Sequence, residues 1–221
     1  MSVPHVAICI PSAGQRVLAN LARDAIAKFT QDVSHEVLLL DTAPMVDRGS
    51  EANGFALDRL IQGALWGTPC ALTHVFVMHD DALPIRERWL SYLLDQVGPS
   101  YLLDQHGPVI GVKASERNGY PHSSGVLFTI DFARSHSMLP DLPTRDTAEW
   151  PGWCAYAYCH RRVTADAGPW PPWWWPFSCD VSYENATDPS TAFYAHFGGG
   201  SLNNRPDRDA WIAAARKALD L

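Results

Sequence analysis

Val75 to Pro84 reads VFVMHDDALP. An apolar, β-type run, Val75-Phe76-Val77-Met78, stops at His79-Asp80-Asp81, and Pro84 follows. Strands that are continuously apolar are those buried on both faces, as in a parallel sheet covered by helices. Acids at the carboxyl end of such a strand stand at the edge of an open α/β sheet, where ligands bind. Carboxylate oxygens suit Mg²⁺ or Mn²⁺, and such ions bridge protein acids to substrate phosphates. The competing reading is a buried strand that ends in a solvated Asp-Asp turn.

Outward from this segment the chain alternates strand and helix. Val6 to Ile10 is a β-branched apolar run closed by Pro11-Ser12-Ala13-Gly14. Val17, Leu18, Leu21, Ala22, Ala25, Ile26 and Phe29 recur at intervals of three and four, which predicts an amphipathic helix over 16–29. His35 to Leu40 is a second strand, stopped by Asp41-Thr42-Ala43-Pro44, with a polar loop expected over 45–53 and a helix over about 54–65. After the Val75 strand, a third helix is expected over 86–96 with Trp89, Leu90, Leu93 and Leu94 inward, then a fourth strand over 109–113. This alternation predicts an α/β, Rossmann-like fold: a mostly parallel sheet flanked by helices. No glycine-rich dinucleotide or P-loop fingerprint follows the first strand, which argues against NAD or ATPase chemistry.

The second half differs. Ser124 to Ile130 predicts a further strand, a helix is expected from near Pro151 within 146–162, and 168–189 is rich in Pro and Trp. Trp150, Trp153, Trp170, Trp173, Trp174 and Trp175 gather in one window. From Asp207 onward Trp211, Ile212, Ala215 and Leu219 mark one side of an amphipathic helix. A single domain is expected over 1–221, its composition shifting midway.

At 221 residues, 47% hydrophobic and 19% charged, the composition is that of a globular protein. A formal net charge of -7 argues against a broad electrostatic grip on nucleic acid. No apolar run reaches the length of a membrane span, and Met1-Ser2-Val3-Pro4-His5 lacks the regions of a signal peptide. The five cysteines form no Cys-x-x-Cys pair, so neither a zinc knuckle nor a disulfide framework is indicated. Reduced thiols and a cytoplasmic location are the expectation.

The ordered motifs resemble those of GT-A-fold glycosyltransferases, most of all the family-2-like nucleotide-sugar enzymes, over roughly residues 6 to 200. Val6 to Pro11 is similar to the opening strand and proline of the nucleotide pocket, and Leu38-Leu39-Leu40-Asp41 to the second strand with its terminal acid. Asn53 to Arg59 resembles the start of the helix before the metal strand, and VFVMHDDALP resembles that strand, its acids and its trailing proline. Trp89-Leu90 stands where the family carries the same pair. Ser123 to Phe128 resembles the small-residue turn and strand that face the donor sugar. Thr147-Ala148-Glu149-Trp150 lies where an acidic motif supplies the base of inverting members, and Ala195 to Ser201 resembles a His segment that completes the metal shell.

The resemblance implies a hexosyl- or pentosyltransferase that uses a divalent cation, Mn²⁺ or Mg²⁺, and a nucleotide-diphosphate sugar as donor, with 1–115 as the nucleotide-binding half of the domain and 116–221 as its acceptor-side half. It assigns the metal to Asp81, His196 and Asp80, the last shared with the ribose. It assigns the nucleotide sugar to Pro11, Ala13, Asp41, Asn53, Arg59, Asp80, Ser124 and Gly125, and catalysis to Glu149 with Asp146 as its alternate. Asp180 is a more distant candidate. The acceptor is left open among a saccharide, a protein, a small molecule and a modified nucleotide. Two departures stand out. His79 occupies the place of the first acid of the family's Asp-x-Asp motif, so either His79 substitutes as ligand or hydrogen-bond donor or the metal is held only by Asp81 with His196, and Trp150 replaces the acid expected after Glu149. Gly198 to Gly200 could form a lid or a plain turn, and Trp170 to Phe177 a sugar platform or an aromatic cover. Arg16, Arg59 and Lys113 could meet diphosphate charge or solvent, and His122 could touch either substrate. The alternatives are a nucleotidyltransferase of related fold, which wants a glycine-rich basic loop after the first strand, and a non-catalytic carbohydrate-binding protein.

Overall fold

A computed structural model describes residues 3–41, 50–67, 72–95, 97, 109–111, 124–131, 193–196 and 208–221. The elements are β1 (His5–Ser12), α1 (Arg16–Phe29), β2 (Ser34–Asp41), α2 (Ser50–Trp66), β3 (His74–Met78) and β4 (Ala82–Pro84). They continue with α3 (Trp89–Leu94), β5 (Val109–Gly111), β6 (Gly125–Thr129), β7 (Tyr194–His196) and α4 (Arg208–Leu219).

Five strands form one sheet in the order β2-β1-β3-β6-β5. β1 pairs in parallel with both β2 and β3, whereas β6 runs antiparallel to β3 and to β5. The chain moves one way from β1 to β2 and then returns past β1 to β3. Right-handed crossovers in opposite directions place their helices on opposite faces of the sheet. The alternation of side chains along each strand shows this. Val6, Ile8, Ile10, Phe76, Met78 and Leu127 pack with α1 and α3, while Ala7, Cys9, Val75, Val77, Val126 and Phe128 pack with α2. Each fully buried aliphatic or aromatic side chain of these layers stabilises by roughly 1.5–3 kcal/mol. Cys9 is a free thiol in this core, and burial pushes its pKa up. The other four cysteines lie outside the described residues.

A second, two-stranded sheet joins β4 to β7 in antiparallel register, Ala82 opposite His196 and Pro84 opposite Tyr194. α4 covers it with Trp211, Ala215 and Leu219, which share a cluster with Leu18, Leu21 and Ala25 of α1 and with Leu83 and Ala195. Among the described residues no helix is long and apolar enough to cross a membrane.

Two boundaries depart from expectation. α2 begins at Ser50 rather than near Gly54, so part of the polar stretch is its first turn. α3 begins at Trp89 rather than Arg86, because Arg88 holds φ 62 and a left-handed residue does not continue a right-handed helix. The Arg88 carbonyl instead accepts from the Tyr92 amide, 2.9 Å, as the first bond of the helix. β4 and β7 were not expected from the sequence, nor was the reversed sense of β6. The helix expected from near Pro151 and the 168–189 stretch lie outside the described residues.

Candidate active site at the carboxyl edge of the sheet

The sheet reverses its strand order at β1 and β3, and in open α/β sheets the crevice at such a point, outside the carboxyl ends, is where ligands bind. β1 ends there in Pro11 and Ser12, β2 in Asp41, which pairs with Ser12, and β3 in Met78. Because β6 is antiparallel, its first residue Gly125 pairs with Met78, so Ser124 and Gly125 stand at the same edge. Five of the expected site residues thus meet on one rim: Pro11, Ala13, Asp41, Ser124 and Gly125.

His79 to Ala82 forms a turn, with the Ala82 amide donating to the His79 carbonyl at 3.2 Å. The turn sends its two acids in different directions. Asp80 is buried and faces β1: its Oδ2 accepts from the Ser12 hydroxyl at 2.9 Å and from the Ala13 amide at 3.2 Å. Gly14 follows with φ 79, a backbone geometry that suits glycine, and lets the chain turn from this bridge into α1. Burial, reinforced by repulsion from Asp81, lifts the Asp80 carboxyl to about 6 against the pull of its hydrogen bonds.

Asp81 is also buried but faces β7. The β4–β7 ladder sets His196 opposite Ala82, and His196 Nε2 lies 3.3 Å from Asp81 Oδ1. His79 Nδ1 lies 3.9 Å from the same oxygen, and the two imidazole rings meet edge to face at 5.7 Å. The three donors fall within 4.8 Å of one another, a grouping that could hold a metal ion. Burial drives the His79 imidazole down to about 4, with Asp81 opposing and His196 adding to the depression. At neutral pH His79 is therefore uncharged and keeps a ring nitrogen lone pair for coordination.

Tyr194 ties the two sheets together. Its hydroxyl donates to the Ser124 carbonyl, and its ring packs at 5.8 Å from Trp89 and 6.0 Å from Phe76. Trp89 in turn donates its indole N–H to the buried Thr30 hydroxyl at 2.8 Å. Arg208, opening α4, donates to the Gln15 side chain at 2.6 Å, beside the loop that follows β1.

Of the remaining expected residues, Asn53 lies in the first turn of α2, which starts from the same edge. Arg59 lies six residues on, about 9 Å further along the helix, and is exposed. Arg16 opens α1 and is exposed. Glu149, Asp146, Asp180, Lys113, His122, Trp170 to Phe177 and Gly198 to Gly200 lie outside the described residues. Sequence reasoning passed over Ser12 and Tyr194, whose bonds to Asp80 and to the Ser124 carbonyl hold the rim together. Ser12 was within reach, since a hydroxyl between Pro11 and Ala13 at a strand end is placed to bond a neighbouring acid.

No protein-family model matches the sequence, and no curated protein sequence matches it. Solved structures do match. A glycosyltransferase involved in the glycosylation of the major capsid of PBCV-1 superposes with a TM-score of 0.63 at 12% identity, over 97% of this chain and 100% of the other. The catalytic domain of Drosophila β1,4-galactosyltransferase 7, solved with xylobiose, gives a TM-score of 0.50 at 16% identity, over 92% of this chain and 74% of the other. At such identities the likeness is one of architecture, and the architecture is the GT-A fold of glycosyltransferases.

Proposed function

We propose that the chain is a divalent-metal-dependent glycosyltransferase that moves a hexose or pentose from a nucleotide-diphosphate sugar to an acceptor hydroxyl. The observation that carries this reading is the convergence of Asp81, His196 and His79 at the carboxyl edge of a GT-A-type sheet. Their donor set of one carboxylate and two imidazoles is one that divalent ions accept. An ion held there supplies charge neutralisation for a departing diphosphate.

The chain's own residues take the other tasks. Asp80, bonded to Ser12 and Ala13, fixes the ends of β1 and β3 on either side of the crevice. In this reading Pro11, Ala13, Asp41, Asn53 and Arg59 line the nucleotide side, and Ser124 and Gly125 face the sugar. Tyr194 steadies that turn through the Ser124 carbonyl. The resemblance at 147–150 supports Glu149, with Asp146 as alternate, as the base that takes the acceptor proton. The acceptor belongs to the half that carries the tryptophans.

Calorimetric titration with UDP, GDP and related nucleoside diphosphates, with and without Mn²⁺, tests the reading. Binding that requires the ion is expected. If no nucleoside diphosphate binds in any metal condition, the reading fails.

A further inference from the structure

We propose that the hollow between α1 and the edge strand β2 is a second binding site, one that takes a neutral saccharide of one or two rings. The proposal goes beyond the reading above, which requires no such site, and it stands or falls separately from the ion and the nucleotide.

The hollow exists because the α1 layer stops short of the sheet edge. The register sets His35 beside Val6 and Val37 beside Ile8, so both side chains of β2 stand on the α1 face of the sheet. Val6 and Ile8 are fully buried there, whereas His35 and Val37 are only half-buried. α1 leans the other way, sharing Leu18, Leu21 and Ala25 with β4, β7 and α4. The space left open has a volume of about 360 Å³ and is lined by residues of α1 and β2. Small-molecule pockets run from roughly 300 to 1,000 Å³.

The lining decides what fits. Asn20, Arg23 and Asp24 lie on one stripe of α1 at helical spacing and form an exposed polar wall. Arg23 offers only donors, Asp24 only acceptors, and Asn20 both. No hydrogen bond or ion pair within the described residues occupies these three side chains. His35 is oriented: its Nδ1 donates to the Val33 carbonyl at 2.8 Å, so contact with a ligand falls to Nε2. One cation beside one anion leaves the wall without net charge, which disfavours a ligand carrying a single charge of either sign. Each hydroxyl of a sugar both donates and accepts, so a hydroxyl-bearing ring matches a wall that mixes the two roles. Ile26, 1% exposed, and Val37 supply an apolar floor for the C–H face of that ring. A few convergent polar groups over an apolar surface are what orient a small ligand.

The hollow is no extension of the crevice. Val37 and His35 precede Asp41 by four and six residues, about 13 and 20 Å at about 3.3 Å per residue of strand. Asp24 stands eight residues into α1, about 12 Å from the end that adjoins the crevice.

The full chain, nitrogen-labelled, is titrated with methyl β-glucoside, methyl β-galactoside, methyl β-xyloside and cellobiose while its amide resonances are followed. Inorganic phosphate and L-alanine serve as charged comparators. At least one of the four sugars is expected to bind with a Kd of about 1–10 mM and to move the amides of 20–27 and 35–37. Asn20→Ala and Asp24→Ala replace exposed residues of a helix, where alanine is well tolerated, and each should weaken that binding at least about fivefold. No response at about 50 mM sugar overturns the proposal, as do shifts confined to Ser12 and Ser124 at the crevice. A stronger response of the same amides to phosphate or L-alanine, or binding that both variants leave intact, also overturns it. Failure to bind any nucleoside diphosphate strikes the reading above alone.

Discussion

β3 opens on one histidine and is followed directly by another, and the two sit in different surroundings. Burial drives both imidazoles down to about 4. Among the described residues the imidazole of His74, at the amino end, bonds its chain neighbour: its Nδ1 lies 2.8 Å from the Thr73 hydroxyl, which also donates to the His5 carbonyl at 3.0 Å. His79, at the carboxyl end, meets a buried carboxylate and a second imidazole. Burial therefore does not distinguish them; company does. A neutral hydroxyl beside His74 makes a local clasp between β1 and β3. A carboxylate and an imidazole beside His79 make a donor set.

The sharpest way to break this contrast is to remove a donor at one end and the imidazole at the other. Asp81→Ala is expected to weaken Mn²⁺ binding by about 100-fold or more, and His74→Ala to change it by less than about twofold. Equal losses in calorimetry would mean that the two ends of β3 are not functionally distinct. Asp80→Ala separates bridge from ligand. It should lower nucleoside-diphosphate affinity about tenfold in the presence of Mn²⁺, with ion affinity alone held within about twofold. A parallel collapse of ion binding would make Asp80 a ligand after all.

The histidine at the quiet end shows itself through pH. His74 titrates near 4 in the folded chain and near 6.5 when unfolded, so between those values the unfolded chain holds the extra proton. Stability therefore rises with pH across this window and is lost on acidification. His74→Gln removes that share, and its melting temperature should fall about 5–10 °C less than that of the wild type between pH 7 and 4.5. The opposing contribution of Asp80, whose raised pKa favours the folded state at low pH, is common to both proteins and cancels. Equal drops would show that His74 is not the group responsible. The smallest effect is expected from Tyr194→Phe, which deletes one bond to the Ser124 carbonyl and should cost about 1 kcal/mol in urea denaturation.

What the sequence disclosed follows from the range of the interactions involved. α1 was legible to the residue because its apolar spacing records one buried face. β1 and β3 were legible because strands covered on both sides carry few polar residues, and the edge strand β2 because of its apolar run Val37-Leu38-Leu39-Leu40. The start of α3 was not, because a single left-handed residue at Arg88 leaves no composition signal. β4 and β7 are three residues each and pair across more than a hundred positions, so no local pattern announces them. The carboxyl-edge acids could be located but not aimed. Whether Asp80 or Asp81 faces His196 depends on the turn that begins at His79, and the turn is decided by Ser12 on one side and β7 on the other.

The β4–β7 ladder has a consequence for how the protein comes into being on the ribosome. Its outer bond, from the Ile85 amide to the Phe193 carbonyl at 2.9 Å, cannot form until Phe193 has been synthesised. β1, β2 and β3 are synthesised long before His196, so a nascent chain can have its parallel strands in hand while the proposed ion site still lacks one of its three donors. On the proposed reading, retention of a divalent ion would mark a chain synthesised past β7. A translation product cut short before β7 would be expected to retain less divalent ion than the full chain, however well its first half had folded.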